Sequence, residues 1–83
     1  MSKYEPLGTY LAGQPGRRVA LDFPAIEAVL RFPLPGSAHR YPAWWANEIN
    51  GRHVQAHAWM DAGWRVDGID LLKKEVVFAR RGC

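Results

Sequence analysis

Cysteine is nearly absent from this sequence: the single one is Cys83, the last of 83 residues. An intrachain disulfide is therefore excluded. Its terminal position also argues against a catalytic thiol, because chain ends rarely hold the geometry a nucleophile needs. Long apolar runs are missing too. None approaches the roughly 18 residues of a membrane span. The opening MSKYEPLGTYL has no apolar stretch of the kind a signal peptide carries. A cytoplasmic protein with no membrane contact is expected. There is no glycine-rich phosphate loop and no persuasive Ser/His/Asp spacing. The carboxylates Glu27, Glu48, Asp61, Asp67, Asp70 and Glu75 are scattered, without the pairing that acid/base chemistry requires. The chain is not expected to be an enzyme, and no cofactor or metal is expected.

What is present is a small globular composition. Hydrophobic residues make up 48% and charged residues 23%, which suits a soluble fold. Residues 1–83 are expected to form one domain. A chain this short buries only about 60% of its unfolded surface, so each large side chain counts. Four tryptophans, three tyrosines and three phenylalanines supply that area. The net charge is +3 and the pI about 9.4. This is a mild bias toward anionic partners, less than the dense basic character of a strong nucleic-acid binder. Five basic and three acidic residues lie in 1–42, six and five in 43–83. Any electrostatic footprint must come from clustering in the fold.

Periodicity supplies the order of elements. Tyr4 to Ala12 predicts a helix, with Leu7, Tyr10 and Leu11 on one stripe and Gly13 expected as its left-handed cap. Arg17 to Phe23 alternates as a strand. A second helix starts at Pro24, buries Ile26, Val29 and Leu30, and stops in FPLPG. Ser37 is expected to cap a short third helix carrying His39 and Arg40. Asn50-Gly51 signals a turn. His53 to Ala62 predicts another helix, closed by Gly63. Trp64 to Asp70 and Lys74 to Arg80 predict two strands around the tip Leu71-Leu-Lys-Lys74, with a bulge at Gly68. The expected class is α+β and winged-helix-like: a small helical cluster packed on a short antiparallel sheet with a C-terminal hairpin. That plan alone does not assign function.

Three sets of residues invite a functional reading. The first is cationic: Arg17, Arg18, Arg31, His39, Arg40, Arg52, His53, Lys73, Lys74, Arg80 and Arg81. Arg40, with Ser37 and His39, sits on a short helix after a turn and fits base or groove contact. Arg52 and His53 would lie near that groove, and Lys73, Lys74 and Arg18 fit phosphates. The plain alternative is solvated surface charge, or charge that blocks sheet-edge pairing.

The second is the pair Trp44-Trp45. Neighbouring residues point in different directions on a helix or a strand. One tryptophan is therefore expected in the core, where Trp45 would stack on Trp59 or Trp64. The other, partly exposed, is free to stack on a base or to serve as a protein hot spot. The third set is His53-x-x-x-His57. Two histidines at that spacing share a helix face and can ligate zinc. The position after the first is Val54, where the zincin pattern has glutamate, so surface histidines are the expectation.

The stretch KYEPLGTYL, IEAVLRFPLPGSA, WWAN and AWMDAGWRV to VVFAR resembles a small uncharacterised bacterial and phage domain. Its pattern is KYxPLxxYL, IExxL with PLPxSA, WWAN, AWxxAGWxV and VxFxR. The resemblance covers nearly the whole chain. It implies an occurrence alone or beside nuclease or restriction-type modules, and hence a DNA-recognition or accessory role. The sequence departs from the pattern at Pro42 and across Glu48-Ile-Asn-Gly-Arg52, where a recognition surface would lie.

Two functions follow as expectations. One is a DNA-binding module, regulatory or accessory to a nuclease or defence system, in which a homodimer would double the contacts. The other is a protein-interaction module, such as a phage-encoded antagonist or an accessory subunit of a defence or toxin complex. Cations sharing one face favour DNA. Cations scattered around an apolar patch that holds a tryptophan favour a protein partner.

Overall fold

The computed structural model describes residues 3–48 and 54–81. The turn expected at Asn50-Gly51, the candidate residues Arg52 and His53, and Cys83 lie outside them. In chain order the elements are α1 (Glu5–Ala12), β1 (Arg18–Asp22), α2 (Phe23–Leu30), α3 (Gly36–Arg40), a 3-10 turn (Pro42–Trp45), α4 (Val54–Met60), β2 (Trp64–Asp70) and β3 (Glu75–Arg80). The helices pack on a three-stranded antiparallel sheet of order β1-β3-β2. This is the expected α+β, winged-helix-like plan of one early strand and a late hairpin.

In α1, Pro6 occupies the first turn and Leu7 and Leu11 are buried. Gly8 faces α4 so closely that a Cβ there would lie 2.1 Å from the Ala58 carbonyl oxygen. Gly13 was expected to be left-handed, yet its φ is −86. The helix closes instead with short bonds, Gly13 N–H to Tyr10 O at 3.2 Å and Gln14 N–H to Leu11 O at 3.0 Å. The left-handed reversal waits for Gly16, φ 86.

Asp22 ends β1 and caps α2, its Oδ1 accepting from the Ala25 N–H at 2.8 Å. Phe23, read as the last strand residue, is the first residue of α2. The helix stops at Arg31, which adopts φ 68 and donates its N–H to Glu27 O at 2.7 Å. Ser37 does not cap α3. Pro35 holds that position in extended geometry, and its carbonyl accepts the Ala38 N–H at 3.0 Å. With φ already fixed by the proline ring, the helix starts two residues early and Ser37 lies exposed within it.

The core is an aromatic column. Phe23 stacks on Trp45 at 5.3 Å, Trp45 on Trp59 at 6.0 Å, and Trp59 meets Phe78 edge-on at 5.8 Å. Trp45, Trp59, Trp64, Phe23 and Phe78 are all fully buried. The pair Trp44-Trp45 divides as the 3-10 turn requires. Trp45 is core, with Nε1 donating to Ala38 O at 2.9 Å. Trp44 is half-buried, edge-on to Tyr4 at 5.6 Å and to Trp45 at 4.6 Å.

Directly opposed residues on neighbouring strands share a face of the sheet. Val19, Phe78 and Val66 form one such row, and Leu21, Val76 and Ile69 another. Both rows pack into the core. The other face carries the rows Arg18, Ala79, Arg65, then Ala20, Val77, Gly68, then Asp22, Glu75, Asp70. The register slips between Val66 and Gly68, so the expected bulge is present and Asp67 is its extra residue.

Candidate nucleic-acid interface

The junction of α3 with the hairpin is built on Phe23. Its N–H donates to Lys74 O at 2.8 Å. Its ring meets the His39 ring edge-on at 5.0 Å. One buried residue thus brings the end of α3 and the β2–β3 turn to the same end of the molecule. Ser37, His39, Arg40, Lys73 and Lys74 all belong to these two segments. His39 is half-buried against Phe23, while Ser37, Arg40, Lys73 and Lys74 are exposed. Among the described residues, the side chains of Arg40, Lys73 and Lys74 make no hydrogen bond or ion pair.

The turn over residues 71–74 is held from within. Asp70 Oδ1 accepts both the Leu72 N–H at 3.1 Å and the Lys73 N–H at 3.0 Å. Lys74 takes φ 55, and its carbonyl is fixed by Phe23. At the summit stands Leu72, 96% exposed. In the sequence, the tip Leu71-Leu-Lys-Lys74 stands out for its two lysines, and nothing marks Leu72 by itself. The signal is in the spacing: four loop residues between paired strands leave two leucines for one inward place. Leu71 takes it, packing against the core. Tyr41, directly after Arg40, is also exposed at 58%.

Arg18 lies at the far end of β1 from Phe23. Its guanidinium donates to Asp67 Oδ2, and Arg65 donates to Oδ1 of the same carboxylate at 2.9 Å. The Arg18 hydrogen bond and charge, joined by Arg65, hold the Asp67 carboxyl below the usual carboxylate range. Arg80 and Arg81 serve the fold. Arg80 lies over the Trp64 ring at 4.5 Å and donates to Gly16 O at 3.0 Å and Gln14 O at 2.6 Å. Arg81 donates to Met60 O at 3.3 Å, at the carbonyl end of α4.

Several carboxylates are likewise engaged. Asp22 caps α2, Glu27 Oε2 accepts the Leu34 N–H at 2.7 Å, and Asp70 shapes the turn. His57 Nδ1 lies 3.6 Å from Asp61. Among the described residues no three His, Cys, Asp or Glu side chains gather as metal ligands. No described helix is long and apolar enough to cross a membrane.

A winged-helix-like α+β module with a cationic hairpin tip is the class that this fold and surface define. The chain belongs to the family described as Domain of unknown function (DUF7662), whose model matches residues 4–82. No curated protein and no solved structure matches the chain.

Proposed function

We propose that the chain is a small, non-catalytic DNA-binding module that docks through the end of the fold where α3 meets the β2–β3 turn. The observation that carries this reading is the Phe23 junction, which gathers Arg40, Lys73 and Lys74 at one end. Their charges are not consumed by partners among the described residues. The two lysines meet phosphates, and Arg40 reaches a base edge or a third phosphate. Ser37 adds a hydroxyl on the same short helix, and Tyr41 an exposed ring suited to stacking.

With about three phosphate contacts the affinity is modest. Its logarithm falls with log salt at a slope of about −0.9 per neutralised phosphate. A cytoplasmic role beside a nuclease, restriction or defence module is the setting implied by the resemblance of the sequence to bacterial and phage domains.

A second reading is a protein-interaction module, and Leu72 favours it. A leucine 96% exposed on a hydrogen-bonded turn suits a partner's apolar pocket as well as a groove. Fluorescence anisotropy with random-sequence duplex DNA across a salt series separates the two. Binding that weakens steeply with salt and with Arg40→Ala supports DNA. No binding at the lowest salt rules it out and leaves the protein-partner reading.

A further inference from the structure

We infer that the helix-free face of the sheet is a self-complementary surface on which a second copy of this chain docks. The face carries three rows across the strands in the register already given. At one end Arg18 and Arg65 flank Ala79, and Asp67 bridges them. At the other end stand Asp22, Glu75 and Asp70. Between them lie Ala20, Val77 and Gly68, with no side chain larger than valine. None of these three belongs to the core or packs against it. The nearest atom to a Cβ built on Gly68 is Val77 Cβ, at 4.0 Å, so among the described residues nothing crowds Gly68 on this face. Ala79 is buried, yet it is not part of the core cluster. Its cross-strand neighbours in the register are Arg18 and Arg65.

A two-fold axis along the middle row satisfies this pattern. It lays each strand antiparallel over its own copy. Val77 then meets the partner's Val77, Arg18 faces the partner's Asp22, and Arg65 faces the partner's Asp70. The carboxylates remain able to accept. The backbone bonds to Asp22 and Asp70 all fall on Oδ1, and among the described residues Asp22, Glu75 and Asp70 make no ion pair. Such an isologous contact closes at two copies.

The size of the patch sets its strength. Three strands about 4.8 Å apart and five residues at about 3.3 Å each give much less than the roughly 800 Å² per partner of a standard interface. The dimer is therefore weak, concentration-dependent and loosened by salt. It does not depend on the DNA reading. It also places the two hairpin tips at opposite ends, so a dimer of this kind joins two ligands and does not double the contacts on one.

Sedimentation equilibrium of the full chain over a wide concentration range tests the proposal. The expected result is an apparent mass that climbs from one chain toward two with concentration, less so at high salt. Val77→Lys and Arg65→Asp stay at one chain throughout, and Asp70→Asn, which keeps its turn-forming oxygen, self-associates more weakly. Circular dichroism confirms that each variant is folded, so loss of the dimer is read apart from loss of the fold. A wild-type chain that stays monomeric at every concentration overturns the proposal. So does self-association that folded Val77→Lys and Arg65→Asp leave unchanged.

Discussion

The side chain of Asn47 pairs with the backbone of Val66 as a neighbouring strand would. Oδ1 accepts the Val66 N–H at 2.9 Å and Nδ2 donates to the Val66 carbonyl at 2.9 Å. The same Oδ1 also accepts from Nε1 of Trp59 at 2.9 Å. One amide thereby closes part of the edge of β2 and fixes the orientation of a fully buried indole. Asn47→Ala leaves that indole donor without its acceptor and is expected to cost about 1–3 kcal/mol. Asn47→Asp keeps the acceptor and loses the donation, so its melting temperature falls in between. Thermal melts of the three proteins check this order.

The two adjacent tryptophans differ in what their removal does. Trp45 sits between Phe23 and Trp59 in the aromatic column. Trp45→Ala is expected to cost about 3–5 kcal/mol, a large fraction of the stability of a small domain. Trp44 is half-buried, and Trp44→Ala lowers the melting temperature less. Equal losses, or none for Trp45→Ala, contradict the core assignment.

Glycine is required at one point of α1 and not at another. Alanine is the better helix former by about 1 kcal/mol, yet at position 8 its Cβ would lie 2.1 Å from the Ala58 oxygen. Gly8→Ala is expected to be destabilising by about 1–3 kcal/mol through forced separation of α1 and α4. At Gly13 the φ is −86 and the nearest atom to a built Cβ is 3.7 Å away. Gly13→Ala is expected to be neutral or mildly stabilising. Denaturant midpoints distinguish the two.

The Arg18–Asp67–Arg65 bridge gives an acid-dependent contribution to stability. Because the folded-state carboxyl titrates below its ordinary value, the ionised form is favoured by folding. The contribution is complete above the ordinary carboxylate range and is lost as pH falls through the lowered folded value. Wild type is expected to melt above Asp67→Asn near neutral pH, and the gap closes as the solution is acidified. A gap that does not change with pH contradicts the bridge as its source.

The sequence showed the architecture well because its signals were local. Alternation at Val76 and Phe78, the stripe of Ile26 and Leu30, and the phase slip at Gly68 each follow from one element's own period. What escaped was set by contacts between distant segments. Ser37 reads as a cap, but Pro35 reaches that position first. Arg18, Arg80 and Arg81 read as free cations, yet the fold spends them on Asp67, on Trp64 and on the end of α4. Asn47 gave no signal, since its partners are brought close only by the folded chain. The candidate interface was half legible. Lys73 and Lys74 mark a tip by position alone. Their proximity to α3 depends on Phe23, which joins the two segments by its backbone and its ring.

The most direct test of the central claim is the salt dependence of duplex-DNA affinity for three chains: wild type, the double variant Lys73→Ala/Lys74→Ala, and Arg18→Ala. Docking through the hairpin end predicts weaker binding for the double variant, with the slope of log affinity against log salt reduced by about one per lysine. It predicts little change for Arg18→Ala, whose guanidinium is held by Asp67. Absence of binding by the wild type, or a larger loss for Arg18→Ala than for the double variant, would contradict it.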